Sequence, residues 1–368
     1  MTTPERPPLP GGRPEPVEPP SFDSPTINQD LDWERPDYKG MRRRRSSRVK
    51  KKQPHWYRPR NTLGIPALVV VLVLLAALIY VNAQMSGIRR APLLPDHAGR
   101  TGLGTNVLIV ASDSAQHSLA SDPRTMVLQL VHVSADGANA SVINLPTDLF
   151  LPAPSDATGD AGPQRLVDAY RTAGVPRLVA TVQDALGIDV DHAAQVGFAG
   201  YVRVTDRLGG IDMPSDQGIR HFTGAQAEHY STSTADTSIA AGRANQEWLK
   251  AMLTSAMTPG VLLNPFTMIG LLKDTKPNLV LDDEFTNGGL RGLLWRSRHL
   301  RPSSIRFLTA PSTGYAARTL VEHTTKPDGT KKTVRTRIRV LLPDLAGLKQ
   351  LGAAVRADND SGIAVFDN

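Results

Sequence analysis

The hydrophobic pattern divides the chain into a polar start, one long apolar run, and a tail of short alternating elements. Leu63–Val81 (LGIPALVVVLVLLAALIYV) is uncharged over 19 residues, enough for a helix to cross a hydrocarbon core about 30 Å thick. Beyond it the apolar runs shorten. NVLIVAS (Asn106–Ser112) reads as a strand buried on both faces. TMVLQLVHV (Thr125–Val133) and ASVINL (Ala140–Leu145) flank the turn signal SADGAN and predict a hairpin. QRLVDAYRTAG and VPRLVATVQDALG predict two helices, with Pro176 in a first turn and Gly187 as a C-cap. HAAQVGF reads as a strand, and AGYVRVTDRLGG as a helix closed by Gly209 and Gly210. Thr223 is placed to cap a short helix, and Asp236 or Thr237 to cap a longer one reaching about Met257. Helices near Pro265–Lys273 and Asp283–Ser297 follow. Then come the strand SIRFLTA, a hairpin RTLVEH/KTVRTRIRVLL around KPDG, and a last helix over Asp344–Arg356.

Strands and helices mix through 101–368 without a linker-like gap. The pattern predicts a single α/β domain, a mixed β-sheet with helices on both faces, preceded by one transmembrane helix. Residues 1–60 read as a disordered Pro-rich tail followed by a basic segment, 61–84 as the membrane span, 85–100 as a stalk, and 101–368 as the outer domain.

Charge orients this arrangement. The chain has a net charge of +7, yet residues 1–100 hold 17 of the 42 Lys/Arg and 9 of the 35 Asp/Glu, leaving 25 and 26 for the remainder. The basicity is therefore juxtamembrane. RRRRSSRVKKK (Arg42–Lys52) lies on one side of the span, so the positive-inside rule puts the N-terminus in the cytoplasm and the domain outside the cell membrane. The same block suits anionic lipid of the inner leaflet. A near-neutral outer domain does not fit a nucleic-acid binder, which carries its basic footprint on the fold. There is no cysteine, which excludes disulfides, thiolate nucleophiles and zinc–thiolate sites.

The sequence shows no Walker loop, no G-x-G-x-x-G and no G-x-S-x-G elbow around Ser112. Asp113 and Asp148 each follow a strand, where an aspartate is also a common turn or capping residue. His132, within an apolar strand, reads first as a satisfied core histidine. His117 and His221 have no metal-ligand spacing.

In order and in motif these pieces resemble the LytR-CpsA-Psr family of Gram-positive cell-envelope proteins. The resemblance rests on NVLIVASDS, TMVLQLVHVS, INLPTDLF, RLVDAY, FAGYVRVTDRLGGIDM, FTGAQAEHY and GRANQEWLKAML, and runs from about Asn106 to Trp248. It implies transfer of a glycopolymer from a polyprenyl-pyrophosphate carrier to peptidoglycan, with carboxylates holding Mg²⁺ and arginines clamping the pyrophosphate. Such phosphoryl transfer is mainly positioning and charge neutralisation.

The chain departs from the family pattern at the clamp. The metal-ligand aspartate is present as Asp113. Pro123-Arg124-Thr125 replaces Ser-Asp-Thr, so Asp122, two residues before Arg124, is the substitute second ligand on an extended chain. Pro146-Thr147-Asp148 keeps the aspartate of Pro-Arg-Asp and loses its arginine. Tyr230-Ser231-Thr232-Ser233-Thr234 replaces Tyr-Ala-Arg-x-Arg, and Arg243-Ala244-Asn245-Gln246 reduces Arg-x-x-Arg-Gln. The resemblance thus implies Asp113 and Asp148 as catalytic carboxylates and Asp113 with Asp122 as metal ligands. Arg124, Arg165, Arg171 and Arg243 are the phosphate-binding candidates that remain. Arg124 beside Asp113 reads either as a fixed charge standing in for the metal or as a salt bridge in a decayed site. The chain is accordingly either a transferase with a reorganised anion site or an accessory protein that binds a polyprenyl-phosphate-linked glycan or a catalytic paralogue without chemistry.

Overall fold

The structure, a computed structural model, describes residues 83, 85–95, 102–112, 126–154, 162–215, 218–233, 237–262, 264–325 and 331–366. The tail 1–60 and the span 61–84 (apart from residue 83) lie outside the described residues, as do Asp113, Asp122 and Arg124. Among the described residues no helix is long and apolar enough to cross a membrane.

A seven-stranded mixed sheet carries the domain. Its strands are β1 (Arg89–Ala91), β2 (Thr105–Ser112), β3 (Met126–Val133), β4 (Ala140–Leu145), β7 (His192–Gly197), β10 (Leu279–Asp282) and β11 (Ile305–Thr309), in the order β1-β10-β7-β2-β3-β4-β11. The predicted β3–β4 hairpin is antiparallel, whereas β2 runs parallel to β7 and β4 parallel to β11. The central strands are buried on both faces, which is why they read as nearly continuous apolar runs. Three two-stranded sheets are added: β5 (Phe150–Leu151) with β6 (Gln164–Arg165), β8 (Ile211–Ser215) with β9 (Gly218–Phe222), and β12 (Ser312–Thr325) with β13 (Lys331–Pro343).

Nine helices appear among the described residues: α1 (Leu166–Leu186), α2 (Phe198–Arg207), α3 (Gly224–Ser233), α4 (Ser238–Ala256), α5 (Pro259–Leu262), α6 (Pro265–Thr275), α7 (Asn287–Arg296), α8 (Leu345–Arg356) and α9 (Asp360–Ala364). On one sheet face Leu108, Leu128 and Ile143 pack with Leu178, Val182 and Leu186 of α1 and Leu348, Leu351 and Val355 of α8. On the other, Ala111, Val127 and Val196 meet Phe198 and Tyr201 of α2 and Trp248 and Met252 of α4. Trp248 lies parallel to the Phe198 ring and edge-on to Tyr201, and its Nε1–H donates to Thr205 Oγ1 at 2.9 Å.

The local signals act where the sequence puts them. Ala173 and Gly174 leave helical geometry and divide α1 into the two predicted helices, with Gly187 in the left-handed region as its C-cap. Thr237 Oγ1 caps α4 by accepting from the Ala240 N–H, and Asp344 caps α8 by accepting from that of Gly347.

The expected stalk 85–100 needs correction, because part of it is folded. β1 adds to the sheet edge beside β10, and Ile88 and Leu93 are buried. A three-residue strand is too short to show periodicity. The final hairpin is longer than the sequence suggests and stands apart from the main sheet.

Candidate active site

A cavity of about 360 Å³ opens at the strand ends of the main sheet. Met126 and Val127 begin β3 there, Phe198 directly follows β7, and Thr147 and Asp148 follow β4. This is the carboxyl end of β4 and β7, where α/β sheets place their ligands. Asp148 is fixed from two sides. Its carbonyl accepts from the Leu341 N–H of β13 at 2.9 Å, and its carboxylate accepts from the Ser238 hydroxyl at the start of α4.

Arg165 also lines the cavity. Its Nε and Nη2 donate to the two oxygens of Asp168 at 2.7 and 2.8 Å, one turn into α1. The hydrogen bond from Asp168 raises the Arg165 pKa most, burial opposes it, and the charges of Asp168 and Asp148 add to the rise. Arg165 is thus a fixed cation next to Asp148.

Around these charges stand neutral donors. Asn245 Oδ1 accepts from Gln129 Nε2 at 3.0 Å, while Asn245 Nδ2 and Ser231 Oγ are buried without a partner among the described residues. The buried hydroxyl of Tyr315 is also unpartnered there, and Arg339 stacks its guanidinium 3.9 Å from the centre of the Tyr315 ring. All of these except Gln129 line the cavity, as does Thr232. Buried donors without acceptors are costly, and together with two arginines they form a pocket complementary to an anion.

The candidate residues scatter in part. Asp148 and Arg165 line the same cavity. Arg171 is exposed, lies 3.4 Å from Asp168 and does not line the cavity. Arg243 is exposed and lines a separate cavity with Asp344 and Phe366. The reason is helical phase: at 100° per residue, Arg243 projects some 200° away from Asn245, whereas Ser238, Ala241 and Asn245 share the cavity face. Among the described residues no group of three acidic or histidine side chains is placed to hold a metal. His132 is core, held between Asn106 Oδ1 at 2.8 Å and Asp358 at 3.0 Å.

Sequence reasoning missed Ser231, Asn245, Tyr315 and Arg339. Asn245 had a signal, a polar residue on the apolar face of α4. Arg339 had another, the alternation of cations in VRTRIRV.

The LytR_cpsA_psr family model matches residues 96–260. Over these residues the chain is similar to LytR-CpsA-Psr proteins. It is 26% identical over 245 residues to the probable cell wall biosynthesis protein LcpB of Corynebacterium glutamicum, covering 59% of this chain and 58% of that one. It is 22% identical over 179 residues to the polyisoprenyl-teichoic acid–peptidoglycan teichoic acid transferase TagU of Bacillus cereus, covering 44% and 57%. The chain thus spans under two thirds of these relatives. In fold it is similar to a LytR-Csp2A-Psr enzyme from Actinomyces oris, with a TM-score of 0.52 at 18% identity, covering 73% of this chain and 97% of the other. Within the domain, the residues standing at lost arginine positions form part of a neutral wall: Thr232 lines the cavity and Asn245 pairs with Gln129.

Proposed function

We propose that this protein is anchored in the cell membrane by residues 61–84, with its LytR-CpsA-Psr domain outside, and transfers a glycopolymer from a polyprenyl-pyrophosphate carrier to peptidoglycan. The observation that carries this reading is the presence of Asp148 and Arg165 in one cavity that Ser231, Asn245 and Tyr315 line with polar atoms unpartnered among the described residues. In the reaction a peptidoglycan hydroxyl attacks the phosphorus next to the sugar. The bond from that phosphorus to the bridging oxygen breaks, and polyprenyl phosphate leaves. Asp148 accepts the proton of the attacking hydroxyl. Arg165, Arg339, Ser231 and Asn245 donate to the phosphate oxygens, whose charge the transition state redistributes. Asp113 and Asp122 are the proposed Mg²⁺ ligands, and the ion when bound adds charge neutralisation at the diphosphate.

The accessory reading is favoured by one observation, the turning of Arg171 and Arg243 away from the cavity. Full-length protein in nanodiscs, given polyprenyl-pyrophosphate-linked glycan and peptidoglycan with and without Mg²⁺, separates the two. Transfer accompanied by release of polyprenyl phosphate supports the enzyme. Tight binding of the lipid-linked glycan with no release supports the accessory protein.

A further inference from the structure

We infer that the helical layer formed by α6 and α7 rests on the outer leaflet of the bilayer, with its outward apolar side chains in the interface and its arginines on anionic phospholipid headgroups. The inference rests on the membrane anchoring proposed above. Both helices cover one face of the main sheet: Leu272 of α6 and Leu290 and Leu293 of α7 pack on Ile88, Ala194, Leu281 and Phe285. What they turn outward therefore lies on one side of the domain. At about 100° per residue, Phe266 stands about 120° from Leu272, and Trp295 about 140° from Leu290. Phe266 is 84% exposed, Trp295 71%, Leu294 61% and Met268 41%. Large apolar side chains exposed together mark an interaction surface.

The surrounding charge selects the partner. The Arg298 guanidinium lies 4.7 Å from the centre of the Trp295 ring, and Arg298 and Arg301 are both exposed. No Asp or Glu occurs from Phe285 to Val321. Tryptophan and leucine exposed beside arginines, with no acid among them, are the composition of an interfacial helix: the ring sits at headgroup level and the cations on lipid phosphate. The tether leads to the same surface. Asn287, the first residue of α7, accepts from Arg90 Nη2 at 2.6 Å and donates from Nδ2 to Ser86 Oγ at 3.3 Å. Ser86 is five residues past Val81, the end of the apolar run, a reach of at most about 18 Å. α7 thus begins beside the point where the anchored chain leaves the bilayer. α2 is tied to α6 by the Arg207–Asp274 ion pair and lines the active-site cavity through Phe198. Docking through this layer therefore holds the cavity close to a lipid-borne substrate.

The absence of cysteine allows a local test in the full-length protein. Leu294→Cys, and Gln350→Cys on exposed α8 surface across the sheet, each take a single fluorophore. In nanodiscs of phosphatidylglycerol and phosphatidylcholine doped with a nitroxide lipid, the label at 294 should be quenched and the label at 350 should not. Arg298→Gln/Arg301→Gln should lower the docked-to-free ratio read from that quenching about tenfold, while farnesyl pyrophosphate, a probe of the cavity, binds as before. Nanodiscs without phosphatidylglycerol should give the same loss with the arginines intact. Equal quenching at the two positions, or quenching that neither the arginines nor phosphatidylglycerol alter, overturns the docking. So does an unquenched label at 294 whose emission shifts as the protein is concentrated, which assigns the surface to a second copy. Alkaline carbonate extraction of the same protein from liposomes tells the two readings apart. Protein that stays in the membrane with its label at 294 unquenched keeps the anchoring and loses the docking; protein that is extracted loses both.

Discussion

Asn245 shows how single residues reshape the site. It stands just before Gln246, where the family resemblance implies an arginine, and pairs with Gln129 while its Nδ2 is buried without a partner among the described residues. A buried arginine there would need a resident anion to offset its desolvation; an amide does not. Thr232, exposed on the cavity wall at another lost arginine position, has room for the longer side chain. Thr232→Arg should tighten farnesyl pyrophosphate binding about tenfold, measured by calorimetry. Away from the site, His221 Nδ1 lies 2.8 Å from Asp212 and Nε2 lies 3.0 Å from the Gly209 carbonyl. The Asp212 hydrogen bond, then that of Gly209, raises the His221 pKa above 6.5. Its small contribution to the β8–β9 hairpin is therefore present below pH 6.5 and lost as pH rises through the raised value. An NMR titration should place the His221 midpoint above 6.5, and Asp212→Asn should lower it. Among the candidate residues, Asp148 and Arg165 were legible because motif and neighbouring strand fixed them. Arg243 was misplaced because a string of residues does not state which side of a helix each one takes.

At the scale of elements, packing depends on close backbone approach. A Cβ added to Gly352 in α8 would stand 1.8 Å from the Leu186 carbonyl oxygen at the end of α1. Gly352→Ala should lower stability by about 2 kcal/mol or more, read from chemical denaturation, because a backbone atom has to move. Trp248, fully buried between α2 and the sheet, should cost about 3–5 kcal/mol when replaced by alanine. Elements with strong local signals were legible: the β3–β4 hairpin through its turn, α4 through Thr237, α8 through Asp344. Those missed were short or polar. β1 and β10 are three and four residues long; β8 alternates buried and exposed residues over only five positions and β9 is exposed at four of five, so neither pair offers a long apolar period. The sequence also does not reveal that β12–β13 stands outside the main sheet, since strand pairing depends on contacts distant along the chain.

At the scale of the whole molecule, the separation of charge supports the proposed orientation. The basic block before Leu63 and the near-neutral remainder predict a single-pass protein with its domain outside. Deleting 61–84 should move the protein from the membrane fraction to the soluble fraction after alkaline carbonate extraction, whereas neutralising Arg42–Arg45 should leave the intact chain in the membrane. The transfer reading requires the cavity beside Asp148 to recognise a diphosphate. The most direct measurement compares the affinity of the full-length protein for farnesyl pyrophosphate and for farnesol, in wild type and in Arg165→Gln. A preference for the diphosphate of at least about tenfold, removed by the substitution, is the expected result. Equal affinity for the two ligands, or a preference that survives Arg165→Gln, would contradict it.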